Sequence, residues 1–114
     1  MSVRRGSGAL TAKLSASVYA VRVKRLPEPV TLSVTVTDPD GRPLKGANVT
    51  FTLAVPGAQV IASSTLTTSS RGTATFTTSI PKGATAGLQC SATAIVHSAD
   101  FGDTTDRTVI AITR

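Results

Sequence analysis

Two antiparallel sheets packed face to face, all-β and of about seven strands, are what this sequence predicts. Three observations point there. Apolar residues alternate with Thr and Ser along several runs, most clearly from Val30 to Thr37. Clusters of Gly and Pro separate those runs at short intervals. No run combines the 3.6-residue apolar spacing of an amphipathic helix with capping residues. Strands with one apolar and one wet face, with no helices to cover them, must bury the apolar faces against each other.

Composition supports the same class. The chain has 114 residues, enough for one domain to close a two-layer core without staples. Aromatics make up only 4% and Trp is absent, so Val, Ala, Leu and Ile must fill that core. β-Branched residues suit a pleated, half-buried surface. Charged residues are only 16%, which argues against a solvated helical bundle. The single cysteine, Cys90, rules out an intramolecular disulfide. No apolar run is long enough to span a bilayer, and no continuous apolar stretch follows the basic opening Met1 to Gly6, as a signal peptide requires.

Taken in order, residues 1–8 read as a flexible lead-in and residues 9–114 as one sandwich. Leu10, Ala12, Leu14, Ala16 and Val18 share one parity, whereas Val21 and Val23 share the other. That switch predicts a first strand broken into two pieces. Leu26-Pro27-Glu28-Pro29 ends it, because proline cannot donate to a ladder. Val30, Leu32, Val34 and Val36 form the next inward row. Asp38-Pro39-Asp40-Gly41 matches a type I turn. Ala47, Val49, Phe51, Leu53 and Val55 then face in, and Pro56-Gly57 stops the strand. One short strand is expected between Val60 and Leu66. Ser69 to Gly72 is a turn, with Ala74 and Phe76 inward after it. Pro81-Lys82-Gly83 breaks the chain again, and Leu88, Cys90, Ala92, Ala94 and Val96 form another inward row. Ser98 to Asp106 reads as a polar loop, followed by a final strand carrying Thr108, Ile110 and Ile112. Short strands at this spacing define an immunoglobulin-like sandwich.

The segment Val36-Thr37-Asp38-Pro39-Asp40-Gly41-Arg42-Pro43-Leu44-Lys45-Gly46-Ala47-Asn48-Val49-Thr50-Phe51 carries a family pattern. So do the Thr-rich stretch Thr65 to Thr68 before Gly72-Thr73-Ala74, and Gly87 ahead of Ala92 and Ala94. With these strings, Val30 to Val96 resembles the bacterial Ig-like domains found in tandem in invasin- and intimin-type surface adhesins. Similar Gly-Pro-Gly-Ala-Val strings occur in transthyretin-like, carboxypeptidase regulatory and macroglobulin-type sandwiches. The resemblance implies a spacer or adhesive module on a bacterial surface, with no catalytic residues to carry over.

Candidate chemistry is sparse. His97, the only histidine, stands near Ser98, Asp100 and Asp103, but a lone histidine at a strand end is ordinarily a surface residue. Asp100, Asp103 and Asp106 recur in the polar loop and could offer calcium oxygen ligands, although Asp also favours turns and the spacing is not that of an EF-hand. Cys90 falls in an apolar row and reads as a small buried hydrophobe. One Cys and one His are too few for a zinc site. Asn48-Val49-Thr50 matches a glycosylation acceptor by a short, common motif on a strand.

The net charge of +6 is uneven, with Arg4, Arg5, Lys13, Arg22, Lys24 and Arg25 all preceding the first acid, Glu28. Arg4, Arg5, Arg22, Lys24 and Arg25 are the candidate polyanion-binding set. The plainer reading is basic residues that guard an edge strand. Only Tyr19 could stack on a base within this stretch, and no helix is available for a major groove, so nucleic acid is not expected. The sequence therefore predicts a non-catalytic structural or adhesive module without cofactors. It would be monomeric when isolated, flanked by neighbouring domains of a larger bacterial surface or secreted protein, and exported by a signal outside this chain. A surface protein or glycan is a further candidate partner. The alternative is a glycan- or polyanion-binding accessory module of a secreted enzyme.

Overall fold

A computed structural model describes residues 10–114; the lead-in expected at residues 1–8 lies outside them. The fold is an Ig-like β-sandwich of two sheets. In chain order the strands are β1 (Thr11–Ala16), β2 (Ala20–Arg22), β3 (Glu28–Thr37), β4 (Asn48–Ala54), β5 (Val60–Ala62), β6 (Leu66–Thr67), β7 (Thr73–Ile80), β8 (Gln89–Ser98) and β9 (Gly102–Thr113). The smaller sheet has the order β1-β3-β7, and the larger β2-β9-β8-β4-β5, with β6 also paired to β4.

The parity switch has a topological meaning. β1 pairs antiparallel with β3 in the smaller sheet, whereas β2 crosses over and pairs parallel with β9 in the larger one. Each sheet buries opposite faces of one incoming chain, so Leu14 and Val21, of opposite parity, both reach the core. A 3-10 turn, Val23–Arg25, follows. Strand β3 begins at Glu28, earlier than two nearby prolines suggested. Pro29 pairs only with Ser79 of β7, since β1 has left β3 by then, with Ser17 donating to the Thr31 carbonyl at 2.9 Å. Its missing N–H therefore vacates no ladder position.

The expected inward rows meet between the sheets. Val30, Leu32, Val34 and Val36 pack opposite Val49, Phe51 and Leu53, and Cys90, Ala92, Ala94 and Val96 lie beside them with Ile110 and Ile112. Phe51 and Phe76 stack with ring centroids 6.0 Å apart, which places β7 over β4. The turn at Asp38 is also as expected: Gly41 donates to the Asp38 carbonyl at 2.9 Å, and Asp38 Oδ1 accepts from the N–H groups of Asp40 and Arg42.

Three expectations are corrected. Leu88 is 50% exposed, because it precedes β8 and never joins its alternation. The region expected as one strand between Val60 and Leu66 holds two short pieces, β5 and β6, both on β4. The polar loop is far shorter than Ser98 to Asp106. Strand β9 starts at Gly102, and the connection is a tight hairpin in which Ser98 pairs with Gly102 at φ +89°.

Candidate functional site

Three places hold polar chemistry, and the fold keeps them apart. The first is the crossover between the sheets. Val21 and Leu26 are buried anchors, and the chain between them closes in a 3-10 turn, with Leu26 N–H donating to the Val23 carbonyl at 3.3 Å. Both ends being fixed, Arg22, Lys24 and Arg25 are pushed into solvent. Arg22 and Arg25 line a cavity of about 290 Å³ together with Val18, Ala20, Val21 and Glu28. Two members of the candidate polyanion set, Arg22 and Arg25, thus share this cavity, Lys24 is exposed on the same turn, and Arg4 and Arg5 lie outside the described residues. The Glu28 carboxylate on the same rim offsets part of the positive field there. None of the three cations forms an ion pair among the described residues.

The second place is the β8–β9 hairpin. His97 lies opposite Asp103 in the register, and its Nδ1 contacts Asp103 Oδ1 on the open face of the larger sheet. The sequence places His97 at the end of an inward row, but its odd parity turns it outward, beside the inward Val96. Its neighbour Ser98 points the other way, buried, and its Oγ accepts from the N–H groups of Asp100 and Phe101 at 3.2 and 3.3 Å. The three aspartates do not converge. Asp100 is in the hairpin turn, whereas Asp103 and Asp106 are three apart on one strand and so occupy opposite faces. Among the described residues no group of three such ligands could hold a metal ion.

The third place is built on Asp106, which the sequence offers only as a turn residue or a calcium ligand. Asp106 faces inward and its Oδ2 accepts the Leu14 N–H at 2.7 Å, joining the edge of one sheet to the interior of the other. Its sequence signal was its parity: Asp106 falls in the same row as Thr108, Ile110 and Ile112. Thr68 is buried too, at 3% exposure. Its hydroxyl accepts from Ala47 N–H at 2.9 Å and donates to the Leu44 carbonyl at 2.6 Å. Both are structural ties. Cys90 is fully buried, and burial raises its thiol pKa, the opposite of an activated nucleophile. Asn48 points outward on β4, in the row of His97.

Two sheets closed on one core, with polar groups that stay apart instead of converging, define an Ig-like β-sandwich module. The chain belongs to the macroglobulin domain MG4 family, whose model matches residues 27–104. This is a family of non-catalytic Ig-like domains, found in extracellular proteins. The Ig-like class expected from sequence therefore stands, while the finer assignment to the invasin and intimin type is not supported by this match. No curated protein matches the chain in sequence. Among solved structures, it is similar to Spo0M, a sporulation control protein from Bacillus subtilis, at TM-score 0.59 and 12% identity over 94% of this chain and 50% of that one. It is also similar to a cycloisomaltooligosaccharide glucanotransferase from Paenibacillus sp., at TM-score 0.50 and 20% identity over 93% of this chain and 14% of that one. At such identities the likeness is one of fold. The chain spans half of the first structure and a small part of the second. No helix among the described residues is long and apolar enough to cross a membrane.

Proposed function

We propose that this chain is a non-catalytic spacer module of a larger extracellular protein, holding neighbouring domains at a fixed separation. The observation that carries the reading is the solvent face of the smaller sheet. Thr11, Ser15, Thr31, Ser33, Thr35, Thr37, Thr73, Thr75, Thr77 and Ser79 all fall on it, with Lys13 as its one charge. Such a face is well solvated yet offers few charged or aromatic anchors of the kind that dominate a binding hot spot. The opposite face of the same sheet is closed against a continuous core, so the unit is built to be stiff and wet. The test is removal of residues 10–114 from the parent protein. X-ray scattering should show a shorter particle, with the activities of the flanking domains unchanged. Loss of a flanking activity that the separate domain restores when added back would overturn the spacer reading.

A second reading rests on a different observation, the cavity that Arg22 and Arg25 share at the crossover, with Lys24 exposed on the turn between them. It makes the module an accessory unit that tethers its parent to an acidic glycan or another polyanion. Retention on immobilised heparin should then fall steeply with salt, and vanish when the three residues are changed to Gln. No retention at low salt would exclude this reading and leave the spacer.

A further inference from the structure

The two edges of the smaller sheet are treated differently. On β1, two N–H groups that turn away from β3 are capped by side chains: Leu14 by Asp106, and Ala16 by the Tyr19 hydroxyl at 3.1 Å. On β7 the first residue alone is capped in this way, Thr73 N–H donating to Ser69 Oγ at 3.4 Å, and no side chain among the described residues caps the N–H groups of Thr75, Thr77 and Ser79. Ser17 donates to Thr31, and Val36 donates to Gly72, so odd residues of β3 bond toward β1 and even ones toward β7. The register Val34 to Ala74 and Leu32 to Phe76 then turns the even residues of β7 toward β3. The N–H and C=O groups of Thr75, Thr77 and Ser79 are left pointing off the edge. Thr73 is excepted, since its carbonyl accepts from Ser69 N–H at 2.9 Å. The run Thr73–Ile80 carries no charge and no proline, and its pairing is unbroken from Glu28 to Thr35, so it lacks the charges, prolines and bulges that ordinarily guard an open edge.

What lies beside that edge is apolar. β7 sits over β4, and beyond β4 the larger sheet continues into β5 and β6, with no strand of the smaller sheet beyond β7 to cover them among the described residues. Phe76 on β7, Ile61 on β5 and Leu66 on β6 are accordingly only partly buried, though all three pack against the core. Val60 is exposed on the same strand as Ile61. A strand added to β7 would have its backbone satisfied by Thr75, Thr77 and Ser79, and every second side chain laid over this ledge. Arg71 and Lys82, both exposed, stand just beyond the two ends of β7.

We propose that the open edge of β7 is a docking site for an extended strand of a partner protein, apolar at alternate positions and acidic at both ends. Charge selects this occupant over a second copy of the chain. Another copy would bring its own flanking cations against Arg71 and Lys82, and each copy carries a net charge of +6. The site is remote in sequence from Arg22, Lys24 and Arg25, so its failure would leave either reading of the module's function untouched.

The probe is a short end-blocked peptide of alternating Val and Thr with Glu at each end, titrated into the isotope-labelled chain. Binding should shift the amide signals of Thr75, Thr77 and Ser79 and slow their hydrogen exchange. Thr77→Pro, which removes one edge donor at a position where proline is tolerated, should weaken binding by about tenfold, whereas Thr77→Val should not. A peptide N-methylated along its pairing edge needs no protein variant and should not bind. Replacing its terminal Glu residues with Lys should weaken it. Shifts that map elsewhere, absence of binding at millimolar peptide, or equal binding of the N-methylated peptide would overturn the site. A concentration-dependent dimer abolished by Thr77→Pro would overturn the choice of partner.

Discussion

The Asp106 carboxylate accepts the backbone N–H of Leu14 across the sandwich, at 2.7 Å and partly shielded from solvent. One residue sits on β9 of the larger sheet and the other on the edge strand of the smaller, so a single bond both clamps the layers and closes an edge donor. Removing the acceptor leaves that donor without a protein partner, and hydrogen bonds to charged groups are the stronger kind. Asp106→Ala should therefore lower unfolding free energy by about 1.5–3 kcal/mol. Asp106→Asn, which keeps an acceptor oxygen, should lose less. Urea denaturation measures both, and faster amide exchange at Leu14 in the Ala variant would locate the effect.

Thr68 poses the same question in a drier place. Its one hydroxyl serves Ala47 N–H and the Leu44 carbonyl, tying the segment after β6 to the approach to β4. Thr68→Val preserves shape but strands two backbone groups, so it should destabilise by about 1–3 kcal/mol. Thr68→Ser keeps the hydroxyl and should lie much closer to the parent in a thermal melt. A Thr68→Val variant as stable as the parent would show that the two bonds of the hydroxyl are not what holds this corner.

How much of this could be read in advance depended on how local the determinant is. The Val30 to Val36 row and the turn at Asp38 are set by neighbours in sequence, and both were legible. The parity change between Val18 and Val21 was legible as a break, but the sheet that each half joins was not, because only the partner strand decides it. The stretch Gly102 to Asp106 looked like loop because two aspartates lie in it. Its strand is imposed by β8, which supplies the ladder from Ser98 back through Ala94. Thr68 gave no signal, one threonine among several. The cationic cluster was legible as charge, whereas the closeness of Glu28 to it required the fold.

Two glycines of similar backbone angle should respond very differently to alanine. Gly41 and Gly72 have φ of +85° and +76°. Around Gly41 nothing lies within 4 Å of an added Cβ. Its substitution should cost only the left-handed backbone penalty, about 1–2 kcal/mol. At Gly72 the same atom would sit 2.5 Å from the Val36 carbonyl oxygen and 3.0 Å from Leu44 N, both backbone. Gly72 also accepts the Val36 N–H at 2.7 Å, so retreat would break the start of the β3–β7 ladder. Gly72→Ala should exceed Gly41→Ala by about 1–3 kcal/mol in chemical denaturation. Similar values would mean that the β7 entry is softer than its contacts indicate.

Cys90 offers a test through proton linkage. It lies fully buried opposite Ile110, and burial raises its thiol pKa by disfavouring the thiolate. The folded chain therefore keeps a proton that the unfolded chain gives up once pH passes the ordinary thiol value. Below that value both states hold the proton and the thiol adds no pH dependence. Above about pH 8.5 the unfolded state binds fewer protons, so stability falls as pH rises. Other groups titrate in the same window, and Cys90→Ala cancels them: the stability difference between parent and variant should shift in favour of the variant as pH rises from about 8 to 10. In parallel, a thiol-reactive dye should label the native chain only at the rate of opening and label it at once in denaturant. Rapid labelling of the folded chain at neutral pH, or a difference flat with pH, would show that the space beside Ile110 is open to water.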